Sequence, residues 1–202
     1  MRSSLKYADT SVYHRWKSKC IGHEADGIIG ADVLFCDALK QGDVMNIKRI
    51  KPMECNMMLD LIRRVFLDCV RKDYTEEGTS YFIENFCAPD SAYGKKIESG
   101  QETAFGAYDE DHLAGVITVS EHGNISCAFV ETEYHRQGIG RMLFLHAKDF
   151  IENDHIPPYV IKLNASPYAI SFYEALGFRK TGDQAEYHGM IYTPMALEVQ
   201  NG

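Results

Sequence analysis

The 202-residue chain reads as a mixed α/β domain with helices flanking a sheet, and three stretches predict it. The first is a strand-like apolar run, Ile125 to Val130, which meets a Gly138-Ile139-Gly140 turn and then a helix pattern. In that pattern Ile139, Met142, Leu143, Ala147, Phe150 and Ile151 repeat at helical spacing. The second stretch, Val160 to Phe178, holds a buried strand, a break, a short helix and a glycine stop at Gly177. The third is the apolar face Met58, Leu61, Ile62, Val65, Phe66, Cys69 and Val70 of a long amphipathic helix. Asp60, Arg63, Arg64 and Asp68 fall on its solvated side.

Taken in order, residues 1–44 read as an N-terminal extension of unclear role. They have a basic start (Arg15, Lys17, Lys19) and an apolar run, Ile28 to Phe35, suited to a strand or a short helix. His14, Cys20, His23 and Cys36 match no tight zinc spacing, and no metal is expected. Asn46 to Ile50 alternates as a strand, and Pro52 suits the loop or first turn after it. After the long helix, Thr75-Glu76-Glu77-Gly78 is a helix start, with Tyr81, Phe82 and Phe86 as its apolar face. Residues 88–101 predict a mobile loop. Thr103 to Tyr108 and Leu113 to Ser120 are strands joined by a hairpin turn at 109–112, and a second turn at 121–124 leads into Ile125 to Val130. Pro157-Pro158 stops the loop helix and launches a strand, Tyr159 to Leu163. Arg179 to Thr181 and Met190 to Val199 close the sheet, and Pro194 predicts a bulge or an edge.

A net charge of −8 argues against a broad nucleic-acid-binding face. No apolar run approaches the roughly 18 to 20 residues of a membrane span, and the first residues carry no signal-peptide core. The six cysteines form no C-x-x-C pair and read as small buried residues of a reducing, cytoplasmic compartment.

Gly138 and Gly140 let the backbone turn tightly and approach a ligand closely. The N–H groups at the new helix start, aided by the helix dipole, make an anion site suited to a pyrophosphate. Arg136 and Arg141 add positive charge beside it. The third glycine of the dinucleotide fingerprint is missing, and so is the Gly-Lys-Ser/Thr of a P-loop. Two elements together resemble the GCN5-related N-acetyltransferase (GNAT) superfamily. His135 to Gly140 is similar to its Arg/Gln-x-x-Gly-x-Gly/Ala loop, with His135 where the family usually has Arg or Gln. Asn164 to Phe178 is similar to its Asn, Ala, Phe-Tyr and Gly-Phe element. The resemblance covers roughly residues 45–198.

That resemblance implies a GNAT fold over residues 45–202: a mixed, mostly antiparallel sheet whose two parallel strands, ending at Val130 and Asn164, splay apart. It implies acetyl-CoA as cosubstrate. The backbone at Phe129 and Val130 would pair with the pantetheine arm. The amides of Gln137, Gly138, Ile139, Gly140 and Arg141 would take the pyrophosphate beside Arg136, and Ala169 and Phe172 would complete the contacts. Asn164 would bond pantetheine or hold a catalytic water, a role compatible with capping the following helix. Tyr173 stands at the general-acid position. The base stays open among Glu131, Glu186, His188 and water alone. Tyr74, Glu76 and Glu77 are candidate acceptor contacts, and a homodimer is a family-level expectation.

The function expected is an acetyl-CoA-dependent N-acetyltransferase acting on a primary amine of a small molecule or peptide by direct attack in a ternary complex. The alternative is a non-catalytic CoA-binding sensor or interaction module. The acceptor (polyamine, antibiotic, amino acid, protein N-terminus or lysine) is not legible, nor is the choice between acetyl and a longer acyl group.

Overall fold

The computed structural model describes residues 45–200; the readings made for the first 44 residues lie outside them. The elements follow the chain as β1 (Asn46–Arg49), α1 (Cys55–Val65), α2 (Glu76–Phe82), α3 (Ala92–Glu98), β2 (Glu102–Asp109), β3 (His112–Ser120) and β4 (Ile125–Val130). Then come α4 (Ile139–Asp154), β5 (Tyr159–Ala165), α5 (Ile170–Ala175), β6 (Arg179–Lys180), β7 (Ala185–Tyr187) and β8 (Met190–Val199). One antiparallel sheet has the order β1-β2-β3-β4; a second has the order β5-β8-β6, with β7 also pairing β8. β4 and β5 lie side by side as the edges of the two sheets without sharing a ladder. The α4 crossover between them is the connection that parallel neighbours need.

Two cores lie against the sheets. In the first, α1, the turn after it and α3 bury Met58, Leu61, Phe66, Tyr93 and Ile97. In the second, Ile139, Leu143, Ala147 and Ile151 of α4 pack with Ile161, Tyr173 and Phe178. The apolar stripe predicted for the first helix is the buried one, and it continues past α1 through a π-helical turn, Phe66–Val70. Phe66 stacks on Phe82 at 4.1 Å, and Phe82 reaches Phe129 of β4 at 6.1 Å. Among the described residues Cys55, Cys69, Cys87 and Cys127 are free and buried, and no helix is long and apolar enough to cross a membrane.

Two sequence expectations are corrected. Residues 88–101 are not a loop throughout: α3 occupies the middle. Ser91 caps it by accepting the Gly94 N–H at 3.0 Å, and Tyr93 and Ile97, one turn apart, are buried. Pro89, Ser91 and Gly94 are turn-type residues, and they hid a helix held by tertiary burial. Pro194 marks neither an edge nor a bulge. It sits in the central strand β8, in regular register with Asn164 of β5. Its carbonyl accepts the Thr181 N–H at 2.9 Å, and its missing donor falls where β8 changes partner from β7 to β6.

The β7–β8 turn packs on the start of α2 through two glycines. Thr75 caps α2 by accepting the Gly78 N–H at 3.1 Å, and its own N–H donates to the Gly189 carbonyl at 3.2 Å. A Cβ on Gly78 would lie 2.2 Å from the Gly189 oxygen, backbone that cannot rotate away. Gly78→Ala should therefore destabilise by about 2–3 kcal/mol. Thermal melting followed by circular dichroism should show a midpoint roughly 5–10 °C lower. An unchanged midpoint would mean the two segments part at little cost.

Glu102 is buried, with 6% of its surface exposed. One carboxylate oxygen accepts from Ser126 Oγ at 2.8 Å, and the other has no partner. Burial raises its pKa, and the Ser126 bond opposes the rise only in part. The folded protein thus binds this proton more tightly than the unfolded chain. The penalty is absent below the unfolded value and builds as pH rises through the folded one. Glu102→Gln should melt higher than wild type at pH 7, with the gap closing toward about pH 4, near the reference carboxylate value. A gap that does not depend on pH would refute the charge-burial account.

Candidate active site

The glycine loop starts where β4 stops. The Glu131 N–H donates to the Ala114 carbonyl at 2.9 Å, making 131 and 114 a bonded pair of the ladder with β3. Alternation along an antiparallel ladder then commits the backbone of Phe129 to β3 and turns that of Ala128 and Val130 toward β5. Of the two residues expected to offer backbone to pantetheine, only Val130 faces the cleft. The side chain of Phe129 instead joins the aromatic row with Phe82.

A 3-10 turn, Thr132–Tyr134, leads to two left-handed residues, Arg136 (φ 61°) and Gly138 (φ 81°). Gly138 is the N-cap of α4, and the first helical bond, Met142 N–H to the Gly138 carbonyl, spans 3.0 Å. The amides of Ile139 and Gly140 precede that bond and open onto the loop, the geometry of an anion site. A Cβ on Gly140 would stand 3.1 Å from the Phe172 ring, so this glycine lets α5 close over the first turn of α4. Gln137 Nε2 donates to the Glu133 carbonyl at 2.8 Å, bracing the loop from within. Arg136 and Arg141 are exposed.

On the β5 side, Asn164 is exposed within the strand. It is not a helix cap, because β5 runs on through Ala165 and the N-cap of α5 is Ala169. Tyr173 is buried on α5, its ring 5.1 Å from Phe172 and 5.5 Å from Phe178. Burial, and then the field of Cys127, push its phenol well above the ordinary value, so it holds its proton.

The candidate bases are placed differently. Glu131 is engaged on both oxygens: Arg64 holds one in a salt bridge, and His112 Nε2 meets the other at 2.6 Å. Burial alone would raise its pKa, but the bonds from Arg64 and His112 outweigh it and hold the carboxyl below its usual range. Glu186 is exposed on β7. His188 stacks on Tyr81 at 4.4 Å, in the turn before β8. Of the candidate acceptor contacts, Glu76 and Glu77 are exposed in the first turn of α2. Tyr74 is half-buried against Phe66 at 5.4 Å, and burial pushes its phenol up to about 12. Tyr74 and Glu76 border an open cavity of about 420 Å³ together with Asp68, Arg71 and Lys72.

Sequence reading missed three contacts. Arg64 and His112 meet Glu131 across 67 and 19 residues, a separation that leaves no local signal. The His135 imidazole folds back onto the Val130 carbonyl at 2.7 Å. Its signal was the departure from the family's usual Arg or Gln.

Residues 70–199 match the family model described as an acetyltransferase (GNAT) domain. Comparison with curated proteins returns no significant match. Among solved structures, the chain is similar to a GCN5-related N-acetyltransferase from Rhodopseudomonas palustris, with TM-score 0.66 and 17% identity over 77% of this chain and 98% of that one. It is similar to the PaiA N-acetyltransferase of Thermoplasma acidophilum in complex with coenzyme A, with TM-score 0.64 and 16% identity over 77% and 99%. It is also similar to the spermidine/spermine N-acetyltransferase SpeG of Vibrio cholerae, with TM-score 0.51 and 17% identity over 76% and 93%. At these identities the likeness shows the fold.

Proposed function

The chain belongs to the GNAT acetyltransferase family, and from that premise we propose that it moves an acetyl group from acetyl-CoA to a primary amine of a small molecule or peptide. The observation that carries the reading is the cleft between β4 and β5. Two neighbouring edges share no ladder; the Gly138 loop follows one of them, β4, and the helix that buries Tyr173 follows the other, β5.

Val130 turns its N–H into the cleft and polarises the acetyl carbonyl. Ile139 and Gly140 bind the pyrophosphate through their amides, with Gln137, Arg136 and Arg141 around them. Ala169 and Phe172 wall the arm, and Asn164 bonds it or orders a water. The amine nitrogen attacks the thioester carbon directly: a C–N bond forms, the C–S bond breaks, and Tyr173 protonates the departing thiolate. Burial raises the proton affinity of phenol and thiolate together, so the desolvation that lifts Tyr173 is offset by the matching lift of the acceptor. The nitrogen of the new amide loses a proton to solvent, and Tyr173 recovers one from solvent. Glu131, with both oxygens engaged by Arg64 and His112, acts as a strut rather than as the base.

Initial rates with both substrates varied test the direct attack. A ternary complex gives intersecting double-reciprocal lines; a parallel set would demand an acyl-enzyme and overturn the mechanism. The sensor reading has one observation in its favour, the engagement of Glu131. It predicts tight CoA binding without turnover on any amine.

A further inference from the structure

His135, the position where the loop departs from its family pattern, sits against the reacting end of β4. Its Nε2 lies 2.7 Å from the Val130 carbonyl. A carbonyl only accepts, so Nε2 carries a proton, and in the neutral imidazole Nδ1 is the nitrogen with the lone pair. Nδ1 faces the Tyr168 hydroxyl at 3.5 Å. Tyr168 comes from the opposite wall, on the 3-10 turn Pro167–Ala169 that follows β5, and is 45% exposed. The pair thus spans the cleft between Val130 and the segment leading to Tyr173. One end touches the proposed reacting centre, and the other is open to an incoming amine.

We propose that His135, acting through the Tyr168 hydroxyl, is the base that removes the acceptor's proton; the assignment rests on the acetyltransferase reading. The Tyr168 oxygen takes a proton from the R–NH3+ group as its own hydroxyl proton passes to Nδ1 of His135. The amine is left with the lone pair that attacks, and the imidazolium later gives its proton to water. Orientation by a third group, here the Val130 carbonyl, follows the logic of nucleophile–base–orienter triads. A distance of 3.5 Å is long for such a bond, as is common before substrate is bound.

Cys69 from the π-helical turn after α1, Lys72 with Nζ 5.5 Å from the Tyr168 ring, and Arg136 in the loop also face the pair. Burial and then Cys69 raise the Tyr168 phenol, against Arg136, so Tyr168 passes a proton on rather than standing as phenolate.

The test is the pH profile of kcat/KM for wild type, His135→Gln and Tyr168→Phe, beside acetyl-CoA titrations of each. Gln keeps an N–H for the Val130 carbonyl but has no titrating nitrogen. Wild type should show an ascending limb between about pH 5 and 8, where imidazoles titrate, and His135→Gln should flatten it. Both variants should lose about ten- to a hundredfold in kcat while binding acetyl-CoA within about twofold of wild type. A limb that survives His135→Gln, rates within about threefold of wild type, or a rate loss matched by lost acetyl-CoA binding would each overturn the assignment. Wild type without amine-dependent thiol release would instead defeat the acetyltransferase reading, and the base assignment with it.

Discussion

Tyr173→Phe should lower kcat for amine-dependent thiol release by about 10²-fold or more, the usual worth of a positioned proton donor. The fold should not change. The ring is what packs: Phe172 and Phe178 contact it edge-on at 5.1 and 5.5 Å, and phenylalanine keeps both contacts. Only the hydroxyl is lost, and with it the proton for the departing thiolate. Acetyl-CoA affinity should stay within about twofold, because the loss falls on the transition state and not on ground-state binding. A thioester with a more acidic thiol needs less protonation, so it should recover much of the rate. A kcat within about threefold of wild type would remove Tyr173 from the acid role.

Gly138→Glu should weaken acetyl-CoA binding by about a hundredfold, or roughly 3 kcal/mol at 1.4 kcal/mol per decade. Two effects add. The residue stands at φ 81° as the N-cap of α4, where any side chain costs about 1–2 kcal/mol. The new carboxylate also places negative charge where the amides of Ile139 and Gly140 would receive a pyrophosphate. Gly138→Ala separates the two, since it keeps the strain without the charge and should lose about tenfold or less. Calorimetric titration of both variants reads the difference. Equal affinities for Glu and Ala would place the phosphates elsewhere.

Much of this architecture was legible because its signals are local. The α4 periodicity, the Gly138 and Gly140 turn and the Gly177 stop (φ 93°) depend on nearest neighbours along the chain. What escaped depends on distant partners. α3 is short and cluttered with turn residues, and only the burial of Tyr93 and Ile97 beneath it makes it a helix. Pro194 is tolerated in a central strand because two short strands divide one flank of β8, which no spacing reveals. At the candidate site, the backbone commitments were not readable. Phe129 spends its amide on β3, Asn164 stays in the strand, and the Val130 carbonyl is taken by His135. The paired contacts of Glu131 with Arg64 and His112 were not readable either, because they join segments far apart in the chain.

The central claim is that the β4–β5 cleft carries acetyl transfer to an amine. Thiol release from acetyl-CoA over a panel of polyamines, amino acids, aminoglycosides and peptides with free N-termini or lysines tests it most directly. The account predicts release above the amine-free rate with at least one acceptor class, and the acetylated amine recovered in equal amount. Acetyl-CoA bound to the wild-type protein, with release at the amine-free rate across the whole panel, would contradict it and favour the CoA-sensing module.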